Sequence, residues 1–89
     1  MTLRIEKAAD RYKTIIRLSG RLQSEHVDEL KRQVDEAQSP ALDLEGVTLV
    51  DFEVVRFLNA CENNGVALLH CSPYIREWMI RENAKERLC

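Results

Sequence analysis

Short β-branched or apolar runs alternate along this chain with amphipathic segments that carry their own start and stop residues, and that alternation leaves few folds open to 89 residues. A strand, a helix and a strand in succession favour parallel pairing through a right-handed crossover. Leu3 and Ile5 alternate with Arg4 and Glu6. Beyond Ala8-Ala9-Asp10-Arg11, the β-branched stretch Thr14-Ile15-Ile16-Arg17-Leu18 is closed by Ser19-Gly20, which predicts an antiparallel hairpin. Ser24 is then expected to cap a helix whose apolar positions Val27, Leu30, Val34 and Ala37 recur at three and four, with Glu25 at the positive end of its dipole and Ser39-Pro40 as its stop. Ala41-Leu42-Asp43-Leu44 reads as a short strand closed by Glu45-Gly46. Val47 to Val50 lead into Asp51, a good N-cap for a helix over residues 52–62, and Asn63-Asn64-Gly65 supplies the stop. Val66-Ala67-Leu68-Leu69 is apolar without alternation, the pattern of an inner strand. Ser72 at N-cap and Pro73 at N1 open a third helix, in which Ile75, Trp78, Met79 and Glu82 follow at helical spacing.

The order ββαβαβα predicts an α/β fold: a mixed four-stranded sheet, antiparallel in its first hairpin and then βαβαβα, with helices packed mainly on one face. Leu3, Ile5, Ile16, Leu18, Leu42, Leu44, Val66 and Leu68 are expected to line the sheet, with Val27, Leu30, Val34, Leu58, Ile75 and Trp78 packed upon it. Hydrophobic residues at 45% and charged residues at 31% are ordinary for a globular chain. A single domain over 1–89 is expected, because half this length is too short to bury a core of its own.

Thirteen Lys and Arg against fifteen Asp and Glu leave a formal net charge of −2, so there is no basic field for nucleic acid or anionic lipid. No apolar run approaches the ~18 residues of a membrane span. The start of the chain lacks the apolar stretch of a signal peptide. Cys61, Cys71 and Cys89 are odd in number and have no CxxC spacing. Together these predict a cytoplasmic protein with reduced thiols, without membrane insertion. Cys61 is expected on an apolar helix face with Val54, Phe57 and Leu58, and Cys89 is expected to be exposed and oxidisable. His26 and His70 lie far apart without i,i+4 or CxxC partners, so no metal site is predicted. His70 and Cys71, as neighbours on a strand, should diverge, which speaks against a nucleophilic pair and against an enzyme. Gly20, Gly46 and Gly65 stand alone at element ends, so no phosphate loop exists and no cofactor is implied.

One stretch carries more than local structure: Asp43-Leu44-Glu45-Gly46-Val47-Thr48-Leu49-Val50-Asp51-Phe52-Glu53-Val54-Val55. It resembles the STAS family, which contains the bacterial anti-sigma factor antagonists and carries a strand of the form DLSGV, an apolar spacer, and Asp-Ser-Ser-Gly-Leu opening a helix. Asp43, Leu44, Gly46, Val47 and Asp51 fit that pattern in register. Ser19-Gly20-Arg21-Leu22 is similar to the family's Gly-x-Leu after the second strand, and Ser72-Pro73-Tyr74-Ile75-Arg76 to its Ser-Pro-x-Val-Arg. The family's phosphorylatable serine aligns with Phe52 and the next hydroxyl with Glu53, so no phosphorylation site is carried over. Glycine and leucine become Val54 and Val55. Family members commonly continue into one more strand and helix, so the resemblance implies a divergent, C-terminally short member. An edge or apolar face left uncovered in this way would favour a homodimer.

The resemblance implies a STAS-like, non-enzymatic protein-binding module for signal transduction and transcription regulation, similar to an anti-sigma factor antagonist. Its partner would be an anti-sigma factor or switch-protein kinase, met through Asp51, Phe52, Glu53, Val55 and Arg56 at a helix start. Phe52 is expected either to project as an interface anchor or to pack under Val47 to Val50. Glu53 gives the first turn one permanent negative charge, either as a stand-in for a modified state or as a helix stabiliser. The alternative reading is a STAS-like accessory subunit of a transport system, gripping an ATP-binding cassette protein or a permease with the same surface.

Overall fold

The computed structural model describes residues 3–9 and 11–88, with side chains as far as Ala84. Cys89, expected to be exposed, lies outside the described residues. Strands β1 (Leu3–Ala9) and β2 (Thr14–Leu22) are followed by a 3-10 turn (Ser24–His26), α1 (Val27–Glu36), β3 (Pro40–Val50), α2 (Phe52–Asn63), β4 (Ala67–Leu69) and α3 (Pro73–Leu88). The four strands lie in the order β1-β2-β3-β4. β1 runs antiparallel to β2, while β2 with β3 and β3 with β4 are parallel. Each crossover thus steps to the next strand in the same direction, and crossovers of one hand then put their helices on the same face.

That face is the core. Ile16, Leu18 and Leu22 of β2 and Leu42 and Leu44 of β3 are buried against Leu30, Val54, Val55, Leu58, Ile75 and Met79 of the helices. Leu3, Ile5, Val27, Val34, Leu68 and Trp78 pack around this cluster half-buried. The helix boundaries follow from their terminal residues. Gly65 sits at φ +91 and donates its N–H to the Glu62 carbonyl, and Val66 N–H reaches the Cys61 carbonyl, the paired bonds of a left-handed C-terminal cap. Ser72 Oγ accepts the Ile75 N–H at 3.2 Å and so opens α3. Arg76 Nη1 donates to both carboxylate oxygens of Glu62 at 2.9 and 3.0 Å, tying the first turn of α3 to the end of α2.

Three local expectations change. Glu45-Gly46 does not close β3, which continues through it for eleven residues to Val50. The pairing with β2 shifts there, because Arg17 faces Asp43 while Ser19 faces Gly46. A Cβ on Gly46 would stand 2.6 Å from Ser19 Oγ and 3.1 Å from the Leu18 carbonyl oxygen, so this glycine permits a close strand approach at a bulge. Ser24 does not cap α1. It opens the 3-10 turn, and its N–H is donated to Asp51 Oδ2 at 2.7 Å. β4 is an edge strand rather than an inner one. Its Ala67 is exposed, and the apolar run reflects Val66 and Leu68 packing toward the helices.

Leu30, the buried residue of α1, is wholly enclosed. Leu30→Ala is expected to cost about 2–5 kcal/mol in urea melts, since a site enclosed by strands and a second helix cannot collapse to fill the void.

Candidate functional site: the start of α2

The corner between β3 and α2 is organised by one carboxylate. Asp51 leaves β3 in an extended conformation (φ −118), and its Oδ1 accepts the Val54 N–H at 3.1 Å, satisfying a free amide of the first helical turn. Its Oδ2 accepts the Ser24 N–H, so the same side chain also fixes the turn that follows β2. Both oxygens are therefore committed within the fold, and Asp51 positions the surface around it.

Phe52 is the first residue of α2 and is 46% exposed. It does not pack beneath residues 47–50; its ring lies under the Arg56 guanidinium, 5.6 Å from the ring centroid, a cation–π arrangement one helical turn long. Glu53 is exposed in the first turn, where its charge opposes the helix dipole favourably. Leu49, on the strand side of the corner, is also exposed. A shallow groove of about 360 Å³ continues from here between α1 and α2, bordered by Val27, Lys31, Glu53, Arg56, Ala60 and Asn63. Val55 has no exposed surface and belongs to the core, so it is removed from the set of candidate contact residues. The helical rotation of 100° per residue explains this: Phe52, Glu53 and Arg56 share the outer face, while Val54, Val55 and Leu58 share the inner one.

The two described thiols, Cys61 and Cys71, have no activating surroundings. Burial pushes the Cys61 thiol up to about 11, with Asp35 adding to the shift and Lys31 opposing it. Burial likewise raises Cys71, more than Arg76 lowers it. The strand ends at Leu69, so His70 and Cys71 do not diverge as strand neighbours; Cys71 packs against the core and His70 turns to the sheet's open face. There His70 Nδ1 lies 3.1 Å from Asp43 Oδ1 and 3.7 Å from Glu45 Oε2. Arg17 Nε approaches Asp43 Oδ2 at 3.5 Å. Burial opposes ionisation of Asp43, but the Glu45 N–H, His70 and Arg17 outweigh it and hold its carboxyl below the usual range. The Asp43-x-Glu45 spacing was a readable signal for a shared strand face, whereas the arrival of His70 was not.

No protein-family model and no curated protein matches the sequence of this chain. Among solved structures, the anti-sigma factor antagonist SpoIIAA in its unphosphorylated form superposes with a TM-score of 0.67 at 19% identity, over 98% of this chain and 97% of that one. The fold is STAS-like. An uncharacterised protein of the DUF3478 family from Shewanella loihica PV-4, described as having a SpoIIAA-like fold, superposes with a TM-score of 0.53 at 13% identity, over 91% of this chain and 76% of that one. At these identities the likeness is one of fold. Among the described residues no helix is long and apolar enough to cross a membrane.

Two outcomes follow from this corner. Asp51→Ala is expected to cost about 1–2 kcal/mol in urea melts through loss of the α2 cap, and Asp51→Asn somewhat less, because an amide oxygen still accepts the Val54 N–H while its NH2 leaves the Ser24 N–H without that acceptor. In alkylation followed by peptide mass mapping, Cys61 is expected to stay unmodified in the native state and to react once urea unfolds the chain, because it is buried and its thiolate is scarce at neutral pH.

Proposed function

We propose that this chain is a non-enzymatic, protein-binding regulatory module of the anti-sigma factor antagonist kind, docking on an anti-sigma factor or switch-protein kinase in the cytoplasm through the start of α2. The observation that carries the reading is the solvent-facing Phe52, clasped by Arg56 at the head of a helix whose N-cap is rigidly held. A large aromatic already stiffened by its neighbour loses little conformational freedom on binding, and such residues dominate interface energies when a partner buries them. The SpoIIAA-like fold supports a regulatory role of this class.

Phe52 and Glu53 stand where the STAS pattern has hydroxyl residues, so docking at this helix start would not be switched by phosphate. The fixed charge of Glu53 and the aromatic ring would instead set one permanent binding state. Glu53, Arg56 and the adjoining groove supply a mixed-charge rim around the ring, the arrangement in which an apolar anchor is shielded from water once bound.

The test begins with affinity capture of the partner from the source cell. Phe52→Ala is expected to weaken binding of that partner about 30-fold, roughly 2 kcal/mol, while the urea melt stays within a few tenths of a kcal/mol of wild type. Unchanged affinity in Phe52→Ala would remove the anchor. A cognate kinase should leave the wild-type chain unmodified, and phosphate on Thr48 would show that a switch is present after all.

A further inference from the structure

We propose that Asp43, Glu45 and His70 form a site for a divalent transition-metal ion of the zinc class on the open face of the sheet. The three side chains come from two different segments, and one donor atom from each lies within 4.8 Å of the other two. Asp43 and Glu45 are two apart on β3 and share the face turned away from the helices. His70 follows the last residue of β4, whose Leu69 is the register partner of Asp43. Simple alternation would send a residue at 70 toward the helices. The left-handed backbone at His70 (φ 56) turns the imidazole back over the sheet instead.

The donor set and its spacing fit one coordination chemistry. An imidazole nitrogen and two carboxylates suit zinc and its first-row neighbours better than calcium or magnesium, which favour all-oxygen shells. Metal bonds of roughly 2.0–2.1 Å in a tetrahedron separate ligand atoms by about 3.3–3.4 Å. The Nδ1 atom stands 3.1 Å from Asp43 Oδ1 and 3.7 Å from Glu45 Oε2, one contact on either side of that edge length. Nδ1 would bind as a lone pair with its proton carried at Nε2, and water would complete the shell. Asp43 is only 4% exposed, and its other oxygen is oriented by Arg17 on β2, as outer partners orient ligating carboxylates. Arg17 also repels the ion, but the two carboxylates leave the four groups a net negative charge with imidazole neutral.

Such an ion would clip the weakest-paired strand. β4 joins the sheet through three register pairs at an edge, and His70 lies between it and α3. A bond from His70 to β3 would therefore fix both the strand and the helix that follows.

The experiment uses the full chain, stripped with chelator and kept reduced with a phosphine. Zinc added in calorimetry is expected to bind with one equivalent and to raise the thermal midpoint. Glu45→Gln and His70→Asn should each weaken binding by at least about tenfold; the apo melt of Glu45→Gln should match wild type because that side chain is exposed, and His70→Asn, which also takes the imidazole from Asp43 but tolerates the left-handed backbone, is titrated below its own apo midpoint. Cobalt(II) should give the spectrum of a nitrogen and oxygen shell. No saturable binding at millimolar zinc, binding unaltered by both substitutions, or a thiolate charge-transfer band with cobalt would each overturn the proposal.

Discussion

The carboxylate of Asp51 joins two places that the chain order keeps apart. Through Oδ1 it begins α2, and through Oδ2 it holds the amide of Ser24, twenty-seven residues earlier, at the turn that carries β2 toward α1. The two parallel crossovers of the sheet therefore leave from one fixed corner. Charged acceptors on backbone amides are among the stronger protein hydrogen bonds, and here two are made by one side chain with little freedom left to lose. The rest of the exposed surface at the head of α2 inherits its geometry from this. Phe52 and Glu53 can face outward because Val54 and Val55, on the other side of the same turn, are drawn fully into the core.

What the sequence made legible was whatever rests on local chemistry. Ser72-Pro73 and Gly65 act through a hydroxyl, a ring and a missing Cβ, and each ends up in the predicted role. The apolar spacing of Val27, Leu30 and Val34, and of Leu42 and Leu44, likewise points into one core, so the covered face of the sheet followed. The errors arise where a distant segment decides. Gly46 looks like a turn glycine, but its role is set by Ser19 on the neighbouring strand. Ser24 looks like a cap, but it lies inside the 3-10 turn, where its amide is held by Asp51 from the far end of β3. Val55 fits the motif of a docking helix start, while only the helix rotation relative to the sheet reveals that it is inside. Asp43, Glu45 and His70 come together through a positive φ on a non-glycine residue, for which the sequence holds no dependable sign.

The two faces of the sheet divide the molecule's chemistry. On the helix side the strands contribute mainly apolar side chains, and stability there follows burial. On the open side the register sets Glu6 beside Arg17 and Arg17 beside Asp43, a row of alternating charge across three strands. A charge row of this kind contributes little to stability where it meets water, yet it discourages other strands from stacking on the face. At Asp43 the row passes into a buried position, and that burial makes the groups around it matter. A carboxylate this enclosed needs its amide, its arginine and its imidazole, and removing them would leave an uncompensated charge.

The head of α2 can be weighed in the same terms. A phosphoserine at a helix N-terminus would bring roughly 1.5–2 negative charges and three acceptor oxygens, and would compete for the amides that Asp51 satisfies. Glu53 brings one charge on a longer, solvated side chain, while Asp51 keeps its amide, so the first turn retains the same internal bonding throughout. The difference between a switched and an unswitched helix start is thus physical before it is biological: the switched form must exchange hydrogen bonds at its cap. In this chain the aromatic at position 52 sits under Arg56 and makes no claim on the cap. A surface of that kind offers a partner shape and apolar area in one fixed conformation, and its affinity would be tuned by what covers the ring.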